Sequence, residues 1–176
     1  MFSIKLTASL QRTIGLRGEM LLDPFPSEEP LGNWLAKDFP LGHRTAYVFM
    51  SEPTLLSFIL FQGETRLTVE SFPQLLVGGL EQLLVMHGIP RNVIKGVIAR
   101  YGVCAYAKPD SRSDVASLNS TAGRYQWLVD SNGGLGICDL NAIIKKMNNM
   151  PQKRLGWRSS WEVSQARLAV LRPSQT

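Results

Sequence analysis

Asn33-Trp34-Leu35-Ala36-Lys37-Asp38-Phe39 and Arg44-Thr45-Ala46-Tyr47-Val48-Phe49-Met50, joined by Pro40-Leu41-Gly42-His43, are the segments whose reading decides the fold. Both runs have strand length and are rich in aromatic and β-branched residues, and the connector carries Pro and Gly. This spacing predicts an antiparallel pair. After Ser51-Glu52-Pro53-Thr54, the run Leu55-Leu56-Ser57-Phe58-Ile59-Leu60-Phe61 reads as a third strand. A helical reading of that last run is the weaker fit.

Toward the N-terminus, Phe2 to Thr7 reads as a short strand, and Thr7 is placed to cap a brief helix that Gly15 stops. Residues 18–32 hold Pro24, Pro26 and Pro30 among acids and read as a surface loop, because proline cannot serve a central ladder. Toward the C-terminus the pattern turns helical. Phe72, Leu76, Leu80, Leu83 and His87 recur at helix spacing after Ser71, and Gly88 ends that run. Pro90 opens a second helix carrying Val93, Ile94, Val97, Ile98 and Tyr101. Val103 to Ala107 is a short strand. Helices follow from about Ser113 to Asp130, from the cap Asp139 to near Pro151, and from a Ser159/Glu162 capping box onward. Strands first and helices later predict an α+β fold with a small, mostly antiparallel sheet packed against several helices. A single domain over 1–172 with a short tail at 173–176 is the expected organisation.

The 176 residues contain only two cysteines, Cys104 and Cys138, too few for a disulfide scaffold or a four-thiolate zinc site. The start, Met1-Phe2-Ser3-Ile4-Lys5-Leu6, lacks a signal peptide's apolar region, and no run is long enough to span a bilayer. A cytoplasmic protein with no membrane partner is expected. His-Glu-x-x-His, Cys-x-x-Cys, Gly-x-Ser-x-Gly and Walker-type loops do not occur. His43 reads as a turn residue and His87 as a packing or capping residue. Asp110 and Asp114 read as paired surface carboxylates near Arg112. No cofactor or metal is implied, and the balance is against an enzyme.

The net charge of +5 is unevenly spread. Residues 1–88 hold six Lys/Arg against nine Asp/Glu (−3), and residues 89–176 hold thirteen against five (+8). Such asymmetry attracts polyanions or an acidic protein. Between Asp139 and Glu162 lie Lys145, Lys146, Lys153, Arg154 and Arg158 with no acid, together with Trp157 and Trp161. Cations neutralise phosphates and exposed aromatics stack on bases. The alternative is a solvated helix face with both tryptophans in the core. A second candidate is Lys108-Pro109-Asp110-Ser111-Arg112-Ser113 at a helix start, where free N–H groups meet anions, with Arg124 adding charge. Plain capping by Ser111 or Ser113 explains it equally.

Leu31-Gly32-Asn33-Trp34, Arg44 through Phe61, Ser111-Arg112-Ser113 with Asn119, Gly133-Gly134-Leu135, and Asn148-Asn149-Met150-Pro151 with Leu155-Gly156 together resemble a bacterial family of small proteins of unknown function, over about residues 2–165. The resemblance implies no activity. It points to Trp34, Arg112, Ser113 and Asn119 as a candidate polar site; Trp34 there, and Trp157 in the acid-free basic stretch, are the candidate aromatic contacts. Where the family continues with an acid after the asparagine, this chain has Ser120.

Three functions follow as expectations. The first is a non-enzymatic protein whose basic C-terminal half engages nucleic acid or a nucleoprotein. The second is an inhibitor or regulator of a protein partner, encoded on a mobile element. The third is an enzyme on a phosphorylated substrate, with Arg112, Asn119 and Lys108 converging.

Overall fold

The computed structural model describes residues 1–171; the tail expected at 173–176 lies outside them. The first strand, β1 (Phe2–Leu6), leads into α1 (Ala8–Ile14), which Gly15 closes at φ 76°. β2 (Trp34–Leu41), β3 (Arg44–Ser51) and β4 (Ser57–Phe61) follow, then α2 (Phe72–Met86), α3 (Arg91–Arg100), β5 (Cys104–Ala107) and α4 (Arg112–Ser131). The last elements are α5 (Leu140–Asn149), two short strands β6 (Pro151–Gln152) and β7 (Arg158–Ser159), and α6 (Ser160–Ala169). The fold is α+β.

The main sheet has the order β4-β3-β2-β1-β5. β2, β3 and β4 form the antiparallel meander read from the sequence, in register from Trp34↔Ser51 to Leu41↔Arg44. The loop between β2 and β3 shrinks to Gly42-His43, because β2 runs on through Pro40 and Leu41; Gly42 at φ 60° supplies the positive φ that a two-residue hairpin needs. β1 lies parallel to both β2 and β5, so the sheet is mixed.

Both faces of the sheet are covered. On one, the Phe72 ring of α2 packs 5.4 Å from Phe49 and 6.2 Å from Tyr47. On the other, Tyr125 and Thr121 of α4 meet Ser57 and Met50, the tyrosine hydroxyl 2.9 Å from Ser57 Oγ. Residues alternate between these faces along each strand, so β1 is buried at every position, including Lys5. The 18–32 loop is less superficial than its prolines suggest. Leu31 and Glu29 are buried, and Leu31 N–H donates to the Tyr101 hydroxyl at 3.0 Å. Capping follows the sequence at Ser111, Asp139 and Ser159, each accepting an N–H three residues on at 3.1 Å. Thr7 and Ser71 stand at N-cap positions but make no side-chain capping bond.

Candidate functional site

The cations nominated from the sequence fall into several places. Gln152 of β6 sits opposite Arg158 of β7, and its Oε1 accepts from Arg124 Nη1 of α4 at 3.4 Å. Directly opposed residues of an antiparallel pair share one face, so Arg158 and Arg124 flank the same glutamine. Lys153 and Arg154 follow in a 3-10 turn. With Arg124 they line a cleft of about 370 Å³ whose other wall is the hydroxyl-rich face of α4: Ser113, Ser117, Ser120 and Thr121. Those four lie at the three- and four-residue spacing that stacks side chains on one helix face.

Arg154 is anchored. It donates to Ser117 Oγ at 2.6 Å and to the Ser113 carbonyl at 3.3 Å, and it pairs with Asp114 at 2.8 Å. Arg124, Lys153 and Arg158 make no ion pair among the described residues. Trp157, in the loop between β6 and β7, is 68% exposed and holds φ 66°, a left-handed conformation unusual for a side chain of that size. Its N–H donates to the Gln152 carbonyl at 2.9 Å, closing the hairpin, and its exposed indole stands one residue before Arg158.

The remaining nominated residues lie elsewhere. Trp34 is completely buried, packed 5.8 Å from Phe58 on the α2 side of the sheet, so it offers no aromatic contact to a ligand. Asn119 Oδ1 accepts from Lys37 Nζ at 2.8 Å on the opposite side, which separates it from Trp34. Lys108 stands 3.7 Å from Asp23, both exposed. Arg112 is exposed and makes no ion pair among the described residues, while Lys108 turns to Asp23 and Asn119 to Lys37. At the α4 start, Ser111 Oγ caps Asp114 N–H and Asp114 occupies the first turn, so the helix terminus already has its negative charge. Lys145 and Lys146 are exposed on α5; Lys145 faces His87, whose ring stacks 3.8 Å from Trp161. Burial, aided by the Lys145 charge, lowers the His87 pKa to about 4.

The sequence reading missed the most deeply buried charge. Lys5 is 4% exposed; its ammonium donates to Glu52 at 2.5 Å and to Asp110 at 2.6 Å, at a cleft also bordered by Asn33, Asp114 and Arg167. Burial opposes its charge, but hydrogen bonds to Asp110 and Glu52 outweigh that and raise its pKa. Asp110 thus serves Lys5 and Asp114 serves Arg154, so the two carboxylates read as a surface pair near Arg112 have separate cationic partners. An ammonium held this firmly is no nucleophile at neutral pH. It ties β1 to the end of β3 and to the loop before α4.

The molecule is therefore an α+β protein with a doubly covered mixed sheet, a buried lysine-carboxylate centre and a separate cationic, hydroxyl-lined cleft. The chain belongs to the family described as a domain of unknown function (DUF6933), which matches residues 3–163 and so takes in β1 through the start of α6, with both sites. No curated protein matches the sequence. Among the described residues, no helix is long and apolar enough to cross a membrane.

Proposed function

We propose that the protein is a binding protein for nucleic acid in single-stranded form, engaging it through the β6–β7 hairpin and the adjoining face of α4. The observation that carries this reading is the gathering of Arg124, Lys153 and Arg158 around Gln152, without acidic partners, next to the exposed Trp157. Successive phosphates would lie along the cations, with serine and threonine hydroxyls as additional donors. The indole offers a stacking platform for an unpaired base, an interaction worth about 1–3 kcal/mol per base. Arg154, neutralised by Asp114, positions the hairpin against α4.

The test is titration of the chain with an oligothymidylate of about 12 nucleotides at several salt concentrations. Neutralisation of about three or four phosphates predicts a slope of log affinity against log salt of about −2 to −3. Base stacking should quench Trp157 fluorescence, and Trp157→Ala should remove that quench. An acidic protein partner would reproduce the salt dependence without quenching by bases. Absent binding, or an affinity flat with salt, overturns the proposal.

A further inference from the structure

The sheet has two edges: β5, which Leu22 bridges at Ala107, and β4. Ser51 N–H donates to the Leu56 carbonyl and Gln62 N–H donates to the Thr45 carbonyl, both at 2.9 Å. Backbone direction alternates along a strand, so even-numbered residues of this segment pair with β3 and odd-numbered ones point outward. The first outward residue is satisfied by an unusual partner. Asn148 of α5, fully buried, accepts from Ser57 N–H at 2.9 Å and donates Nδ2–H to the Ser57 carbonyl at 2.8 Å. A side-chain amide here imitates a neighbouring strand for one residue. Ile59 and Phe61, the next outward residues, have no such partner among the described residues.

These backbone groups face an apolar groove of about 790 Å³ floored by β4. Val85 and Met86 of α2 form one wall, Leu140 and Ile144 of α5 the other, and Glu81 is the sole charged residue among those lining it. Val85 is 62% exposed there. Unpaired edge groups in an apolar setting are the template for strand addition.

We propose that this groove docks an extended peptide segment of a partner protein. Its main chain continues the sheet at Ile59 and Phe61, its alternate apolar side chains pack between α2 and α5, and a Lys or Arg faces Glu81. The occupant is a free segment because of the walls. The free edge groups lie in a groove between α2 and α5, which a single extended chain enters more readily than the edge of a second folded sheet. Its cation is set by Glu81 on the α2 wall, since Arg44, 4.4 Å over the Phe61 ring, already places a positive charge at the far end of β4; its alternating pattern is set by the sheet it joins.

Hydrogen exchange of individual amides tests this in the full chain. The probes are two capped peptides alternating valine and threonine, one with a single lysine and one with glutamate in its place. The lysine peptide should bind saturably and slow exchange at Ile59 and Phe61 by at least about tenfold, while Phe58 and Leu60 stay as protected as before. Val85→Glu, at an exposed position, should weaken binding about tenfold with the circular dichroism unchanged. Glu81→Lys should reverse the preference between the two peptides. Failure of both peptides to bind, or binding that leaves Ile59 and Phe61 unchanged, overturns the proposal. So does protection of those amides in the free chain, whether it grows with chain concentration, which would mean self-association, or disappears when residues 172–176 are removed.

Discussion

A lysine inside a strand whose every residue is buried is tolerable only through what meets its ammonium, and at Lys5 that is two carboxylates from segments 47 and 105 residues away. Losing the lysine leaves the mostly enclosed Glu52 carboxylate uncompensated, while Asp110, 44% exposed, is partly solvated. Lys5→Met should therefore cost about 3 kcal/mol in urea unfolding, and adding Glu52→Gln and Asp110→Asn should recover most of it. The raised Lys5 pKa also fixes a sign. Its contribution is complete below the ordinary value of 10.5 and is lost as pH rises through the higher folded value, so the alkaline fall in stability should be shallower in Lys5→Met, the remainder coming from Cys104, Tyr101, Tyr106 and Tyr125, whose burial raises their pKa values as well. His87 acts in the other direction. With its pKa lowered from 6.5 to about 4, the unfolded chain takes up the proton first, so stability should fall as pH drops across that interval. His87→Phe, which keeps an aromatic ring against Trp161, should flatten that slope in thermal melts at pH 4 to 6.5. At this scale the sequence was only partly legible. Lys5 stands out as a charge within Phe2–Leu6, but nothing local indicates Glu52 or Asp110 as its partners, because pairing across the sheet is a property of topology.

Among the elements, α2 shows how a helix is shaped to its neighbour. Its middle contains Gly78-Gly79, each costing about 1 kcal/mol relative to alanine in a helix interior. Gly79 is buried where a Cβ would drive into the Phe58 ring, which is itself stacked 5.0 Å from Phe49. Gly78 is exposed, with open space where a Cβ would stand. Gly78→Ala should therefore stabilise the fold by about 1 kcal/mol, whereas Gly79→Ala should destabilise it by about 1–3 kcal/mol through overpacking, both measured by chemical denaturation. Helix periodicity made α2 readable, yet it treats the two glycines alike; only the strand packed against them tells them apart. The same limit explains the β6–β7 hairpin. Two-residue strands carry no alternation, so Pro151 to Ser159 read as a break between helices, and its exposed indole could be nominated but not placed.

Over the whole molecule, charge summed along the chain proves a poor guide to charge gathered in space. The +8 of residues 89–176 is drained by acids from the other half: Asp23 stands by Lys108, and Glu29 pairs with Arg100 at 2.9 Å. Conversely, Asp110 of the basic half helps to hold Lys5, and Lys37 reaches Asn119. The compact mixed fold was legible because strand and helix patterns repeat locally, while the grouping of cations depends on how α4, α5 and the hairpin pack. What survives is a division the sequence did not contain. Lys145 lies by His87 and Trp161, whereas Arg124, Lys153 and Arg158 surround Gln152. The two sets carry the same kind of charge, so a field set by net charge alone would feel the removal of two charges from either one equally. A built interface would not. Replacing both Lys145 and Lys146 by alanine should leave the salt slope for oligothymidylate nearly unchanged. Arg124→Ala with Lys153→Ala removes the same two charges and should reduce the slope by about 1.4, at about 0.7 for each phosphate that is no longer neutralised. Equal reductions from the two double variants would mean that binding follows overall charge and that the cleft beside Trp157 holds no strand.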